Sequence, residues 1–341
     1  MYKDITELVG MEEERDALIY RLAEGGEGSK QQLKTISVVG LGGLGKTTLV
    51  RAVYEKIKTQ FDCWAFVSVS RTPDMKKIFK DMLYGLDEHK FEEIHSTSRD
   101  EKLLIDKLRE FLEHKRYLIV VDDIWDEKIW DIIKCALSSN NLGSRIITTT
   151  RSINVSEACC SSGVDIIHRM KPLSDRNSQR LFYRRIFQNE HGCPVELEEV
   201  SIDILRKCGG VPLAVIAIAS LLASNQQMKS KDQWCNLLES IGHGLIGGDV
   251  VEDMKKILSF SYYDMPPHLK SCFLYLSIFP EDCEIEIERL IWRWIAEGLI
   301  HHEEQGKSLF EVGESYVNEL INRSMIMPVE IDCDKLQSEG A

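Results

Sequence analysis

The chain has 341 residues, 43% of them hydrophobic, and its 55 acidic and 42 basic side chains give a formal net charge of -13 at pH 7. This length and hydrophobic content suffice for two or three domains with buried cores, which excludes a largely disordered protein. The surplus negative charge repels polyphosphate backbones, so nucleic acid is not expected as the main partner.

The cysteines and the apolar segments indicate the cellular compartment in which the protein is expected. The ten cysteines include no Cys-x-x-Cys pair and no closely spaced disulfide framework. Several, such as Cys208 and Cys272, lie in apolar surroundings, where a reduced thiol behaves as a small hydrophobic side chain. The N-terminus has no apolar signal segment, and no stretch approaches the roughly 18 uncharged apolar residues of a membrane span. We therefore expect a cytoplasmic protein without a membrane span.

The first predicted elements are a short amphipathic segment, Glu12 to Leu22, a glycine-rich loop and then a series of strands. From Thr35 to about Ile167, apolar or β-branched runs alternate with helical patterns. The strand-like runs are Ile36 to Val39, Trp64 to Val69, Tyr117 to Val121 and Arg145 to Thr149. Continuous apolar strands separated by helices are typical of a parallel sheet covered on both faces. We predict an α/β domain over residues 1–170.

Beyond Pro172 the strand pattern disappears and helical patterns follow one another. The predicted helices are Ser174 to Gln188, Leu197 to Lys207, Pro212 to Ala223, Lys231 to Ile241, Val250 to Tyr263, His268 to Tyr275, Glu286 to Leu299 and Leu309 to Asn322. A glycine-rich run, His243 to Asp249, is typical of a linker. We therefore predict a second domain at residues 171–244 and a third at residues 245–341.

The most specific motif, Gly40 to Thr47, matches GxxxxGK[ST] between a hydrophobic strand and a helical run. Glycines such as Gly43 and Gly45 permit a tight turn whose backbone N–H groups face a phosphate. The dipole of the following helix also favours an anion at this position. The motif predicts a P-loop that binds the phosphates of a nucleotide.

Three side chains of the motif have expected roles. Lys46 is expected to reach the β- and γ-phosphates, Thr47 to ligate Mg²⁺ and Thr48 to contact the α-phosphate. The same glycines also spell GxGxxG, a dinucleotide-binding pattern, and Asp62 lies near the distance of a ribose-binding acid. Asp62 precedes its strand, however, whereas that role requires the carboxyl end of the strand. The lysine and threonine favour a nucleoside di- or triphosphate with Mg²⁺ instead.

Polar residues follow two further strands. Asp122 and Asp123 end the run that begins at Tyr117, and a carboxylate beside a P-loop can hold the metal ion. We assign the metal to Asp122 and the activation of water to Asp123, although such a pair also occurs as a turn or helix cap. Arg151 follows the Arg145 to Thr149 strand and is expected to contact the γ-phosphate, with a surface salt bridge as the alternative.

Taken in order, the motifs resemble the NB-ARC module of plant nucleotide-binding, leucine-rich-repeat resistance proteins, over nearly the whole chain. Trp125, after the two aspartates, is similar to the coiled-coil class of these proteins. The matching segments are Leu8 to Gly10, Gly40 to Thr48, Phe61 to Ser70, Leu118 to Trp125, Gly143 to Arg151, Cys208 to Ala214 and Cys272 to Asp282.

The resemblance implies a P-loop NTPase domain followed by a helical and a winged-helix subdomain. It also implies that Val9 contacts adenine and that Pro212 and Leu213 close the nucleotide pocket from the helical subdomain. Pro212 follows two glycines and opens an apolar helix, where its rigid ring can face a base, although a purely structural helix start is the alternative.

The function implied by the resemblance is a switch in an intracellular immune receptor: bound ADP keeps it at rest, and exchange for ATP permits oligomerisation and defence signalling. The implied partners are the receptor's own coiled-coil and leucine-rich-repeat domains, further copies of the chain, and host or pathogen proteins. Val211 and Met11 depart from the family's usual leucine and arginine. The family's Met-His-Asp motif is expected to follow Ala341 in a longer chain.

Two alternatives remain at this point. One is a P-loop enzyme, a turnover ATPase or kinase, which needs an acceptor site that no motif identifies. The other is an origin-recognition-like DNA-binding ATPase with a C-terminal winged helix. Its recognition helix should be basic, yet Glu286 to Leu299 carries Arg289 and Arg293 against Glu286, Glu288 and Glu297.

Overall fold

The computed structural model describes residues 9–23, 31–96, 100–190, 192–224, 230–241, 258–259, 262–263, 265–280, 283–301, 307–323 and 325–326. The chain divides into two compact units, Met1–Ser174 and Asp175–Ala341, each with a hydrophobic core of its own. None of the helices in the described ranges combines the length and the apolar character that a membrane crossing requires.

The first unit is built on a parallel sheet. Its strands are β1 (Lys34–Val39), β2 (Cys63–Ser68), β3 (Tyr117–Ile124), β4 (Arg145–Thr150) and β5 (Ile166–Arg169). They lie in the order β2-β3-β4-β1-β5, and every neighbouring pair is parallel. All residues of β1 and β4 are buried, as expected for a parallel sheet with helices on both faces. The predicted parallel sheet is confirmed.

The sequence patterns missed the fifth strand. β5 pairs with β1, so that Ile36 lies opposite Ile166 and Val39 opposite Arg169. It has four residues, none of them fully buried, and two of them are His168 and Arg169. A short strand at the edge of a sheet lacks the continuous apolar run that marks the interior strands.

The helices of the first unit are α1 (Glu12–Ala23), α2 (Lys46–Ile57), α3 (Met75–Leu86), α4 (Glu88–Phe91), α5 (Glu101–Leu112), α6 (Glu127–Ala136) and α7 (Ile153–Cys159). Short polar side chains start four of them. Asp74, Asp87, Asp126 and Ser152 accept backbone N–H groups in the first turns of α3, α4, α6 and α7. Because α2, α6 and α7 begin shortly after β1, β3 and β4, their N-termini lie at the carboxyl edge of the sheet.

Two basic side chains of the sheet hold the end of α1. Arg145, 4% exposed at the start of β4, donates from Nε to the carbonyl oxygen of Leu22 at 2.8 Å. Lys34, at the start of β1, donates to the carbonyl oxygen of Arg21. Cations at a helix C-terminus satisfy its last carbonyl groups and complement the helix dipole. These contacts fix the C-terminal end of α1 relative to β1 and β4.

The second unit is helical over its described residues. Its helices are α8 (Asp175–Phe187), α9 (Val195–Cys208), α10 (Pro212–Ser224), α11 (Lys231–Ile241), α12 (Pro267–Tyr275), α13 (Ile287–Ala296) and α14 (Leu309–Asn322). They agree with the predicted helices to within about a turn at either end. The remaining predicted helix, Val250 to Tyr263, lies mostly outside the described residues. The predicted domain boundaries at 170 and 244 remain predictions.

The last three helices share one core. On α13 the predicted apolar stripe is buried at Leu290, Ile291 and Trp294, whereas Ile287 at its start is 47% exposed. The facing side of α14 contains Gly313, which is buried. A Cβ at this glycine would lie 2.5 Å from Ile291 Cγ2 and 2.9 Å from Ile300 Cδ1. The two helices therefore approach closely because position 313 has no side chain.

We expect Gly313→Ala to destabilise the second unit. Overpacking of a close-packed core costs about 1–3 kcal/mol, which outweighs the roughly 1 kcal/mol that alanine gains over glycine in a helix. Urea unfolding followed by circular dichroism measures the difference. Glu314→Ala, at the next and exposed position of α14, serves as the control and should change stability little. An increase in stability for Gly313→Ala would contradict the close helix contact.

Candidate functional site

The P-loop lies at the carboxyl edge of the sheet, between β1 and α2. Gly43 and Gly45 have φ angles of 78° and 87°, in the left-handed region that side chains disfavour. Gly45 is the N-cap of α2 and Lys46 its first residue, so the turn leads directly into the helix. The predicted turn is therefore present, with the positive end of the α2 dipole at the sheet edge.

Met11, directly before α1, packs against this loop. Val9 and Met11 are 6% and 7% exposed, and Gly10 between them has a φ of 79°. A Cβ on Gly45 would lie 2.4 Å from Met11 Cε, so Met11 closely contacts the P-loop glycine. Val9 is buried two residues before Met11, and its proposed contact with adenine remains a prediction.

We expect Gly45→Ala to lower both the thermal stability of the protein and its affinity for a nucleotide. A non-glycine residue in the left-handed region costs about 1–2 kcal/mol, and the new methyl group meets Met11. Met11→Ala/Gly45→Ala should recover only part of the loss, because it removes the contact but not the backbone strain. Thermal melts and ADP titrations of both variants, with Met11→Ala as the control, measure this. Full recovery in the double variant would show that the positive φ angle of Gly45 does not contribute to the loss.

Lys46 is a buried cation within the loop. Its side chain is enclosed, with the residue 6% exposed, and Nζ donates to the carbonyl oxygens of Gly40 at 2.9 Å and Leu41 at 3.0 Å. Burial, and then the nearby Arg151 guanidinium, lower the pKa of Lys46, while Asp123 and Asp122 act in the opposite direction. The loop thus holds a positive charge that a bound anion would stabilise.

Asp122 connects the P-loop to the neighbouring strands. It is 4% exposed and accepts hydrogen bonds from Thr47 Oγ1 at 2.9 and 3.1 Å and from Thr149 Oγ1 at 2.6 Å. Burial raises the pKa of Asp122, and the hydrogen bonds from Thr149 and Thr47 oppose that rise. A carboxylate and a hydroxyl placed side by side are hard oxygen donors of the kind that Mg²⁺ prefers.

Asp123 lies at an irregularity of β3. The strand was predicted to stop at Val121, but it extends to Ile124, and its register with β4 shifts between these two residues. Asp123 has a φ of 56°, and its N–H donates to Thr149 Oγ1 at 2.8 Å instead of to a ladder carbonyl. Such irregularities redirect a side chain beside functional sites, and aspartate tolerates the left-handed conformation better than most residues.

Arg151 faces Asp123 across the end of β4. Its Nη2 lies 3.4 Å from Asp123 Oδ2, and its side chain is 51% exposed. A Cβ on Gly42 would lie 3.4 Å from Arg151 Nη1, which places the guanidinium at the P-loop as well. The strand ends therefore bring the predicted base and the predicted phosphate-contacting arginine together.

The remaining predicted residues fall in two places. Thr48 lies in the first turn of α2, next to Thr47, and both are exposed. Pro212 is buried and begins α10 in the second unit, after Gly209 and Gly210, whose φ angles are 57° and 70°. Leu213 beside it is 37% exposed. The roles proposed for Thr48, Pro212 and Leu213 toward a nucleotide remain predictions.

Asp62 lies at the opposite edge of the sheet from the P-loop. It directly precedes Cys63, the first residue of β2, and accepts the N–H of Arg116 at 2.7 Å. Because all strands are parallel, this N-terminal end of β2 is distant from the carboxyl edge that holds Lys46 and Asp122. The geometry therefore excludes the ribose-binding role that a dinucleotide site would require.

Sequence reasoning missed Thr149 and assigned no contact to Trp125. Thr149 bonds both aspartates, and its signal was the run of three threonines that ends a strand otherwise rich in isoleucine. Trp125 follows β3, and the guanidinium carbon of Arg151 lies 4.6 Å from its ring centre. An aromatic residue directly after paired aspartates was visible, but its partner could not be identified without the tertiary structure.

Among solved structures, the chain resembles origin-recognition proteins at low identity. It is 14% identical to the Aeropyrum pernix ORC1 protein in complex with DNA, with a TM-score of 0.46 over 97% of this chain and 89% of that one. It is 12% identical to Drosophila ORC bound to DNA, with a TM-score of 0.45 over 98% and 80% of the two chains. At such scores these likenesses carry no argument for or against the DNA-binding alternative.

Sequence relatives are closer. The chain is 36% identical to the disease resistance protein RGA5 of Oryza sativa subsp. japonica, over 88% of this chain and 27% of that protein. It is 33% identical to the putative disease resistance RPP13-like protein 3 of Arabidopsis thaliana, over 97% of this chain and 38% of that protein. The ToMV resistance protein Tm-2(2) of Solanum lycopersicum is also 33% identical, over 96% and 36%. The chain thus spans about a third of the length of these relatives.

Two family models match different parts of the chain. The NB-ARC domain model matches residues 11–192, which include the P-loop, both aspartates and Arg151. The model of the disease resistance protein winged helix domain matches residues 278–339. The chain therefore belongs to the NB-ARC family, the nucleotide-binding domains of plant disease resistance proteins.

Proposed function

We propose that this chain is the ADP/ATP-operated switch of an intracellular plant immune receptor. In this proposal ADP holds the resting form, and exchange for ATP releases the winged-helix part and permits oligomerisation and defence signalling. The charged groups at one sheet edge carry the proposal. Lys46 begins α2, Asp122 and Asp123 belong to β3, and Arg151 directly follows β4, so these four residues meet around the N-terminus of α2.

The residues present fit a nucleotide with Mg²⁺. Gly43 and Gly45 have no side chains that would hinder the approach of a phosphate to the loop backbone, and Lys46 supplies a buried positive charge for the phosphates. Thr47 and Asp122, already joined by a hydrogen bond, would hold the metal ion. The metal, when bound, supplies positive charge that stabilises phosphate oxygens. A cation beside Asp122 would also offset the burial that disfavours its charged form.

Two residues would act at the γ-phosphate end of ATP. Arg151 would donate charge-assisted hydrogen bonds to the γ-phosphate, and Asp123 would orient or deprotonate water. Slow hydrolysis suits a switch, whose state must last longer than a catalytic cycle.

A switch requires that one ligand prefers one state. Moving an equilibrium from about 1:99 to 99:1 takes roughly 5.5 kcal/mol of differential binding. Contacts of the γ-phosphate with Arg151, Lys46 and the metal supply a large part of that. We further propose a cytoplasmic location, which the free thiols of all cysteines in the described ranges support. The receptor's other domains and host or pathogen proteins are the proposed partners.

Titration calorimetry with ADP and with a non-hydrolysable ATP analogue, each with and without Mg²⁺, tests the proposal. We expect binding of both nucleotides, with the analogue more dependent on Mg²⁺ because its γ-phosphate adds charge. Mass spectrometry of nucleotide released from the purified protein identifies the resting ligand, for which we expect ADP. The absence of adenine nucleotide binding in both assays would refute the proposal. Rapid multiple turnover of ATP would favour the enzyme alternative.

A further inference from the structure

Trp125 lies at the centre of a group of charged residues at the carboxyl edge of the sheet. It directly follows β3, whose bulge carries Asp123. The guanidinium carbon of Arg151 lies 4.6 Å from the centre of its ring, and that of Arg71 lies 4.5 Å from the same centre. Arg71 comes from the loop after β2 and Arg151 from the end of β4. One indole ring, directly after β3, therefore contacts cations from the ends of the two strands that flank β3.

The position of Arg151 has an electrostatic cost. Its guanidinium is near enough to Lys46 to be among the causes that lower the pKa of that lysine. Half of the Arg151 side chain is exposed, so solvent offers it an alternative position away from the loop. The pair with Asp123, at 3.4 Å, is long for a charge-assisted hydrogen bond. Asp123 alone is thus a weak restraint on this arginine.

The ring provides the missing restraint. A guanidinium within about 6 Å of an indole centre is attracted by the ring's quadrupole, most strongly for tryptophan among the aromatic residues. The indole N–H is buried and has no acceptor among the described residues, so the ring acts through its π system and not as a hydrogen-bond donor. Its N-terminal neighbour Ile124 is 1% exposed and anchors the ring to the core.

We propose that Trp125 is a positioning residue that holds the Arg151 guanidinium at the P-loop, next to Asp123, ready for the γ-phosphate. This inference rests on the proposed function, in which Arg151 distinguishes ATP from ADP. Trp125 offsets the repulsion between Arg151 and Lys46 and so maintains the arrangement before the nucleotide arrives. A ligand binds more tightly to a side chain that is already in position than to one that must first be ordered from solvent, because the cost of ordering is smaller.

The proposal predicts a selective effect on the two nucleotides. Without the ring, Arg151 moves toward solvent, so the affinity for a Mg²⁺ complex of a non-hydrolysable ATP analogue should fall. The affinity for ADP, which has no γ-phosphate, should change little. The affinity ratio is the affinity for the ATP analogue divided by the affinity for ADP. From the strength of cation–π contacts, we expect this ratio to fall by roughly three- to thirtyfold in Trp125→Leu. Trp125→Phe keeps an aromatic face and should retain most of the ratio.

The experiment is a double-mutant cycle by titration calorimetry with Trp125→Leu, Arg151→Gln and the combined variant. We expect Trp125→Leu to lower the affinity ratio in the wild-type background and to have no further effect once Arg151 is replaced. Equal losses for both nucleotides in Trp125→Leu, or an undiminished effect in the Arg151→Gln background, would overturn the positioning role. Thermal melts of all variants identify any loss of folding. If Trp125→Leu does not fold, the affinity ratio is measured instead in Trp125→Phe and Trp125→Tyr, each of which keeps an aromatic face.

The same cycle separates this inference from the function on which it rests. If Arg151→Gln leaves the ratio unchanged, the proposed recognition of the γ-phosphate by Arg151 fails. If Arg151→Gln lowers the ratio but Trp125→Leu does not, only the role of Trp125 fails. Arg71→Gln completes the set. Arg71 contacts the same ring but has no proposed phosphate contact, so its removal should leave the affinity ratio within about twofold of wild type. A loss as large as that of Arg151→Gln would assign the phosphate contact to Arg71 instead.

Discussion

Lys46→Arg is expected to weaken ADP binding by about ten- to a hundredfold while the protein remains folded. The ammonium of Lys46 fits between two carbonyl oxygens of the loop at 2.9 and 3.0 Å. A planar guanidinium is larger, and its donors cannot occupy the same point. Loss of one hydrogen bond to a charged group costs about 1.5–3 kcal/mol, and each 1.4 kcal/mol corresponds to roughly a tenfold change in affinity.

Calorimetric titration of ADP measures this effect, with Lys56→Arg as the control. Lys56 lies on the same helix, and its side chain is 52% exposed beside Asp16, so its replacement should leave ADP affinity unchanged. Lys46→Met adds a second contrast. Because burial disfavours the charge of Lys46 in the ligand-free protein, methionine should preserve thermal stability while ADP binding is lost. Wild-type ADP affinity in Lys46→Arg would refute the role assigned to Lys46.

Asp123→Asn is expected to slow ATP hydrolysis by about a hundred- to ten-thousandfold, the usual range for loss of a general base. Asparagine suits the test because it tolerates the φ of 56° at this position, whereas alanine would add backbone strain. The amide cannot accept a proton from water, but the N–H bond to Thr149 can persist. Affinity for the ATP analogue should change by less than about threefold, since Asp123 acts on water and not on the nucleotide.

Single-turnover hydrolysis of ATP, together with titration of the analogue, separates the two effects. Asp131→Asn, at an exposed position of α6, is the control for the loss of one negative charge elsewhere in the first unit. Equal losses in hydrolysis and in binding would reassign Asp123 to the metal or to the phosphates. An unchanged rate would show that another group activates the water.

Much of the fold was predictable because its signals are local. The interior strands are continuous apolar runs, and short polar caps mark the starts of helices such as α3 and α7. β5 was not predictable in this way, because four half-buried or exposed residues acquire a strand conformation only by pairing with β1. The bulge at Asp123 escaped prediction for a similar reason: it depends on the register between β3 and β4.

The sequence by itself determined the P-loop and the family. A loop with glycine at positions 43 and 45, followed by lysine and threonine, imposes its turn through local backbone preferences, and the ordered motifs identify the NB-ARC family without a structure. Only the tertiary structure decided which side chains meet. Thr149, Trp125 and Arg151 come from two different strand ends, and the strand order that brings them together arises from long-range pairing and helix packing. Local patterns do not encode that order, so the network around Asp122 and Asp123 became visible only once the sheet was assembled.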